Sequence, residues 1–202
     1  MKKETDDFVW REYTERYYID EVDEVVENSG LIIKKSYVKD GDVVYRDPIH
    51  PNCAMICNDA VRLGIKSAFE CGCSCGYHLY NIKKLLPKVT IAGCDLLKTQ
   101  VYGTGYKLGI PNSITENIQV MDFSEIGACE NIDSKYEYVF TNAVLMHLSY
   151  GKAVRFVKNM VGISSKYLRF SESCSDFEEL LEEAGVLDTY KRKEDFLFSR
   201  VN

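Results

Sequence analysis

The feature that most constrains this chain is an alternation that begins at residue 51. Short apolar runs, each closed by a polar residue or a glycine, take turns with segments whose apolar residues recur at helical spacing. Pro51 suits a first helical position, and NCAMICNDAVRL continues that helix to Gly64. The runs IKSAFEC, VTIAGC, NIQVM, YEYVFTN and KYLRFS read as buried strands. Between them, YHLYNIKKLL sets Leu79, Ile82, Leu85 and Leu86 on one helical face, and Pro87 stops it. A glycine-broken helical stretch runs through Leu108, and GKAVRFVKNMVGI is an amphipathic helix. The segment SDFEELLEEAG opens on the cap pair Ser175 and Glu178 and closes at Gly185. The tail from Val186 reads as a hairpin around Lys193-Glu194. Strands alternating with helices predict an α/β fold with βαβ units, a mostly parallel sheet and right-handed crossovers.

Residues 1–50 differ in character, being rich in charge and tyrosine. The stretch FVWREYTERYYIDEVDEVVE reads as one or two helices, and LIIKKSYVKDGDVVYRD as extended segments around a turn at Asp40-Gly41-Asp42. The expected organisation is therefore a small N-terminal helical cap over 1–50 and one domain over 51–202. Trp10, Tyr13 and Tyr17 stand at helical spacing in the cap, either as a lid that stacks on a substrate or as a stripe packed on the core.

At 202 residues the chain is long enough to build one sizeable core. No apolar run approaches the ~20 residues of a membrane helix, and no apolar stretch follows the opening MKKETDDF. The expectation is a cytoplasmic protein without membrane contact. Its eight cysteines are then reduced thiols. Cys71, Cys73 and Cys75 form a C-x-C-x-C run that lacks the paired C-x2-C spacing of zinc sites, so small packed side chains are expected and no metal. The formal net charge is −6, and the basic groups Lys34-Lys35, Lys83-Lys84 and Lys191-Arg192-Lys193 are too short for a nucleic-acid arm.

In open parallel sheets, ligands bind beyond the carboxyl ends of the strands, at the switch point. Three of the runs end in a polar residue there: Asp95, Asp122 and Asn142. The first ends in Glu70 and the loop Cys71-Gly72-Cys73-Ser74-Cys75-Gly76, whose glycines permit a tight turn and close backbone approach to a ligand. Asp95 follows Gly76 by 19 residues, where a carboxylate accepts from both hydroxyls of a ribose. Asp122 can accept from an exocyclic adenine amine, and Phe123 can lay its ring against the base. A dinucleotide would want G-x-G-x-x-G, and here the glycines stand at i and i+4. S-adenosylmethionine carries no phosphate and needs only the close backbone approach and the acidic clamp.

The segments FECGCSCGYHLYNIKKLLPKVTIAGCDL, IQVMDF and YEYVFTNAVLMHLS resemble the successive motifs of class I S-adenosylmethionine-dependent methyltransferases, over roughly residues 52–202. The resemblance implies a three-layer, Rossmann-like, seven-stranded sheet with a final antiparallel hairpin. It implies that Glu70, Gly72, Cys73, Ser74 and Gly76 line the methionine and ribose side, and that Asp95 and Leu96 hold the ribose and the adenine face. Asp122 and Phe123 then hold the adenine, and the backbone near Asn142 and Ala143 meets the methionine amine. Ser74 departs from the family pattern, which has a glycine there. The proline-rich motif that in this family follows the fourth strand and goes with planar nitrogen acceptors is absent, since Asn142 is followed by Ala143-Val144. A small-molecule acceptor is therefore expected, with a hydroxyl of a sugar or similar metabolite preferred and nucleic acid disfavoured.

His147, about one turn past the fourth strand, is the candidate general base, against a packed or solvent-facing helix histidine. His78 is expected to cap or face solvent, and His50, before Pro51, to serve a turn. Two other readings stay open: a non-catalytic relative that binds cofactor or a partner, and a nicotinamide-dependent oxidoreductase on a similar sheet.

Overall fold

In the computed structural model the described residues are 30–172, 177–194 and 196–201. Asp40 and Gly41, both with positive φ, form the turn of a short hairpin between β1 (Tyr37–Lys39) and β2 (Asp42–Val44). Helix α1 (Pro51–Arg62) follows, with Pro51 at its start and the His50 Nδ1 accepting the Asn52 amide at 3.3 Å, so His50 is its N-cap.

From there the chain alternates as the apolar pattern predicts. The elements are β3 (Ser67–Cys71), α2 (Tyr77–Leu85), β4 (Thr90–Asp95), a π-helical turn Thr99–Thr104 running into α3 (Gly105–Lys107), α4 (Asn112–Thr115), β5 (Ile118–Val120) and β6 (Tyr136–Asn142). After them come α5 (Tyr150–Ile163), β7 (Ser164–Ser171), α6 (Phe177–Glu183), β8 (Tyr190–Glu194) and β9 (Leu197–Arg200). The seven-stranded sheet runs β5-β4-β3-β6-β7-β9-β8. Its first five strands are parallel, and β9 pairs antiparallel with both β7 and β8. The hairpin predicted around Lys193-Glu194 is present with its bend further on, at a left-handed Phe196.

Side-chain alternation divides the strands between two cores. Ala68, Tyr138 and Phe140 face the layer of α1 and α2, with Ile56, Ala60, Leu79 and Ile82. Phe69, Val139, Leu168 and Phe170 face the layer of α5 and α6, with Phe156, Val157, Met160 and Leu180. A buried ion pair ties α1 to the sheet: Arg169 Nε donates to Asp59 Oδ2 at 2.6 Å, and the Tyr138 hydroxyl donates to the same oxygen at 3.3 Å. Residues 30–50 pack on the α1 and α2 side, where Asn81 accepts the Ile33 amide and donates to the Leu31 carbonyl. The predicted cap Ser175 and the expected lid residues Trp10, Tyr13 and Tyr17 lie outside the described residues.

Among the described residues, six cysteines are packed in the core. Cys53, Cys57, Cys71, Cys73, Cys75 and Cys94 are buried free thiols. Burial pushes the thiols of Cys57, Cys71, Cys73 and Cys75 upward, which keeps them protonated and unreactive. Among the described residues no group of three or more His, Cys, Asp or Glu is placed to hold a metal ion, and no helix is long and apolar enough to cross a membrane.

Candidate active site

Strand order reverses at β3, which pairs with β4 on one side and β6 on the other. The carboxyl ends of these strands open into a single cleft. Its lining includes Glu70, Gly72, Cys73, Ser74, Asp95, Leu96, Asp122, Phe123, Asn142, Ala143 and His147. Of the predicted cofactor residues only Gly76 is missing from that wall, and it acts one step back as the left-handed N-cap of α2. A Cβ there would stand 2.8 Å from Ile118 Cδ1.

The loop after β3 is held by main-chain bonds. The amides of Gly72 and Cys73 both donate to the Cys94 carbonyl, at 2.8 and 2.9 Å. Gly72 has φ +75°, and a Cβ on it would stand 2.4 Å from Val144 Cγ2, so both conformation and space require glycine. Ser74 is also left-handed, with φ +51°. That explains why the family pattern has glycine at this position: the conformation is costly for any residue with a Cβ. Two bonds hold the serine there. Its amide donates to Asp95 Oδ2 at 2.7 Å, and its hydroxyl donates to Gln100 Oε1 at 2.8 Å. Gln100 sits in the π-helical turn, a local irregularity that brings its side chain to the loop.

Asp95 also accepts the Leu97 amide on Oδ1 at 3.0 Å. Burial raises its pKa, and the amides of Leu97 and Ser74 pull back. A carboxylate has about four lone-pair sites, so two amides leave acceptor capacity on the cleft side. Leu96 beside it is 43% exposed, an apolar surface open to a flat ring. Asp122 takes the Ser124 amide and hydroxyl on Oδ1, at 2.8 and 2.6 Å, and Oδ2 has no partner among the described residues. Phe123 is more deeply placed than its expected role against a base implies. It is 3% exposed and packs against Phe69 and Phe156, so it backs the cleft as a core residue.

Glu70 points from β3 toward α2. Its Oε1 lies 2.6 Å from His78 Nδ1, and both residues are nearly inaccessible, at 2% and 1% exposure. His78 therefore neither caps nor faces solvent. Glu70 Oε2 is buried without a hydrogen-bond partner. Burial pushes Glu70 upward, with the His78 charge pulling back. Burial pulls His78 downward, and the Glu70 charge, helped by the Cys53 thiol nearby, outweighs it and raises the imidazole to about 10.

The far wall follows β6. Asn142 Oδ1 accepts from Asn52 Nδ2 at 2.9 Å and from the Ser171 hydroxyl at 2.8 Å. Ala143 is left-handed, with φ +54°, and its amide donates to the Ser171 carbonyl. The next residues form a 3₁₀ turn, Leu145–His147. Glu172, just past β7, braces that turn: Oε1 accepts the Val144 amide at 2.9 Å and Oε2 the Met146 amide at 3.4 Å. Burial pushes Glu172 up to about 7 despite the amides of Val144, Leu145 and Met146. His147 lines the cleft from this turn, and burial lowers its pKa. Sequence reading misses Glu172, Gln100 and Asn52, and also Tyr77 and Lys152, which line the cleft. Glu172 carries the same signal as Asp95, an acid that closes an apolar run, while Gln100 carries none.

No family model matches this chain, and no curated protein does. Solved structures do. CalS10, an amino pentose methyltransferase from Micromonospora echinaspora in its SAM-bound form, matches over 64% of this chain and 52% of its own, with 14% identity and a TM-score of 0.50. The SAM-bound magnesium protoporphyrin IX methyltransferase ChlM from Synechocystis PCC 6803 matches over 66% of each chain, with 17% identity and a TM-score of 0.46. The sugar N-methyltransferase KedS8 from Streptoalloteichus sp ATCC 53650 matches over 61% of this chain and 48% of its own, with 15% identity and a TM-score of 0.47. The chain thus spans between about half and two thirds of the length of these proteins. At such identities the likeness speaks for the fold, and the first of the three carries it. The fold is that of the class I S-adenosylmethionine-dependent methyltransferases.

Proposed function

We propose that this protein transfers a methyl group from S-adenosylmethionine to a small-molecule acceptor, with a hydroxyl of a sugar or similar metabolite as the accepting group. The observation that carries the reading is the convergence of Gly72, Asp95 and Asp122 on one cleft at the switch point of the sheet. The donor set fits the cofactor. Asp95 offers a carboxylate to ribose hydroxyls, Asp122 Oδ2 is an unused acceptor for an amine, and Leu96 is an apolar face for the base. The orphaned Glu70 Oε2 is a buried acceptor awaiting a donor, a state that costs about 1–3 kcal/mol while unfilled. The fold likeness to CalS10, a sugar-modifying enzyme by its description, supports a carbohydrate acceptor.

When bound, S-adenosylmethionine supplies a methyl group on a sulfonium, already a strong electrophile. The chain's own contribution is chiefly alignment, which can account for about 7–11 kcal/mol of a barrier. Asp95 and the loop it anchors fix the nucleoside end, and the turn braced by Glu172 presents His147 from the opposite wall. Burial holds the His147 pKa low, so its imidazole is neutral near pH 7 and able to take a hydroxyl proton. Phe123, Leu148 and Phe156 keep water from that wall.

Calorimetric titration with S-adenosylmethionine and S-adenosylhomocysteine tests the binding half, with micromolar affinity expected. Incubation with methyl-labelled cofactor and a panel of sugars, nucleosides and phenols tests the transfer half. Label retained wholly on the cofactor across that panel, with binding intact, would favour the non-catalytic reading instead.

A further inference from the structure

Asn142 closes β6 and lines the cleft, yet its side chain is turned by groups that stand outside the cleft. Oδ1 accepts from Asn52 Nδ2 at 2.9 Å and from the Ser171 hydroxyl at 2.8 Å. A carbonyl oxygen has two lone pairs, so Oδ1 is saturated. Its two donors come from α1 and from the end of β7, and neither lines the cleft. Both are themselves anchored. The Asn52 amide donates to His50 Nδ1, and Ser171, 4% exposed, takes the Ala143 amide on its carbonyl. Turning the Asn142 amide over would set its Nδ2 against Asn52 Nδ2, donor against donor. What remains is Nδ2 itself. It has no partner among the described residues, and it is not one of the enclosed side-chain atoms that lack one, which are Glu70 Oε2 and His78 Nε2. The wall after β6 thus offers the cleft an open N–H donor, on the same connection that carries His147.

We propose that Asn142 is a specificity-determining residue that selects an oxygen acceptor over a nitrogen one, so that the substrate presents a hydroxyl at the reacting position and amino sugars are rejected there. The proposal deepens the reading above and rests on it. A hydroxyl has one hydrogen and two lone pairs. Facing Asn142 and His147, it gives the hydrogen to the imidazole, accepts from Nδ2 with one pair and keeps the other for the methyl carbon. In the transfer the oxygen–carbon bond forms, the sulfur–methyl bond breaks with its electron pair left on sulfur, and the proton goes to His147. The oxygen gains negative character as that proton leaves, and a fixed N–H donor favours the charge. A neutral amine has a single lone pair, which cannot both accept from Nδ2 and attack. An ammonium has none, and it meets a donor that it cannot match. The acids that line the same cleft belong to β3 and to the ends of β4 and β5, as Glu70, Asp95 and Asp122, so none of them lines the wall after β6.

The test uses methyl-labelled cofactor and matched sugars that differ by one group: glucose with glucosamine, galactose with galactosamine, and mannose with mannosamine. Mass spectrometry reads whether the label sits on oxygen or on nitrogen. Wild type is expected to favour oxygen by about a hundredfold or more. Asn142→Asp keeps one oxygen for Asn52 and Ser171 and turns a second acceptor to the cleft. Its oxygen-to-nitrogen ratio is expected to fall by about tenfold or more, the scale of a charge-assisted hydrogen bond. Asn52→Asp leaves the cleft wall untouched. Its carboxylate faces the Asn142 amide with an acceptor, which draws Nδ2 away and brings Oδ1 round to the cleft, and the ratio is expected to fall there too. A general loss of structure lowers both products and does not move their ratio. A fall in either variant supports the proposal, so one that fails to fold leaves the other decisive. Wild type that labels nitrogen as readily as oxygen, or a ratio unchanged in the folded variants, would overturn it. Label on none of the sugars would overturn the sugar reading, and the proposal with it. Failure to bind S-adenosylhomocysteine in calorimetry would overturn the cofactor reading itself.

Discussion

The backbone amide of Ser74 donates to the Asp95 carboxylate at 2.7 Å, so the bend of the glycine loop is held by the acid that closes the neighbouring strand. One side chain therefore shapes the loop and, under the proposed function, also has lone pairs left for the ribose. Asp95→Ala removes both roles. Affinity for S-adenosylhomocysteine is expected to fall by about ten- to a hundredfold, as befits loss of charge-assisted hydrogen bonds. Titration calorimetry measures it, with circular dichroism to confirm that the fold persists. Wild-type affinity in a folded variant would contradict the assignment of Asp95 as the ribose acceptor.

Ser74 sits at φ +51° and gains a hydroxyl bond to Gln100 in return. Ser74→Gly relieves a conformational cost of about 1–2 kcal/mol and loses a hydrogen bond worth about 0.5–1.5 kcal/mol, together with some backbone entropy. The two nearly cancel, so urea denaturation should show a change within about 1 kcal/mol. Ser74→Val keeps the strain, adds a β-branched side chain at a left-handed position and loses the bond. It is expected to destabilise by about 2 kcal/mol or more. If valine were tolerated as well as glycine, the left-handed conformation would not be what constrains this position.

Gly72 faces a steric wall as well as a conformational one. A methyl there would meet Val144 Cγ2 at 2.4 Å. Gly72→Ala is expected to cost about 2–3 kcal/mol. Adding Val144→Ala clears the space and leaves the positive φ, so the double variant should recover only part of the loss. A double-mutant cycle in urea tests this, and strict additivity would show that the two residues do not touch in solution.

Much of this arrangement is legible in the sequence because strands in a parallel sheet are short apolar runs with an abrupt polar end. Asp95, Asp122 and Asn142 announce themselves that way, and the topology brings such ends together. The turn at Asp40-Gly41 is legible for a different reason, since those two residues tolerate left-handed backbone. Ser74 and Ala143 are not legible, because nothing local marks a serine or an alanine as left-handed when long-range bonds hold it there. His78 misleads for a related reason. Its burial depends on a partner eight residues earlier on another element, a contact that helical periodicity does not encode.

Glu172 makes stability depend on pH through the loop that carries His147. Its carboxyl is raised to about 7 in the fold against an ordinary value of 4.5. The folded state thus holds the proton more tightly than the unfolded chain does. Stability from this group is fully present below about pH 4.5 and is lost as pH rises through 7. Glu172→Gln keeps an oxygen to accept the Val144 amide and cannot ionise. The variant is expected to melt higher than wild type at pH 8 and at about the same temperature at pH 5. Thermal melts at the two pH values check this, and a variant that loses stability equally at both would show that the carboxyl's charge does not matter.

His147 lines the cleft and is the proposed base, and burial has lowered its pKa from the ordinary 6.5. Lowered in this way, it is neutral over a wider range than an exposed imidazole. Methyl transfer to a hydroxyl acceptor should rise with pH up to that lowered pKa and be flat above it. His147→Ala is expected to reduce kcat by about 10²–10⁴-fold while leaving the affinity for S-adenosylhomocysteine within about threefold. His147→Gln should not rescue, because an amide holds the same space without accepting a proton. Pre-steady-state assays with labelled cofactor, run from pH 5 to pH 9 on any acceptor that the panel yields, separate the two effects. Unchanged turnover in His147→Ala would leave alignment alone as the source of the rate, with the acceptor reacting as its own ionised form.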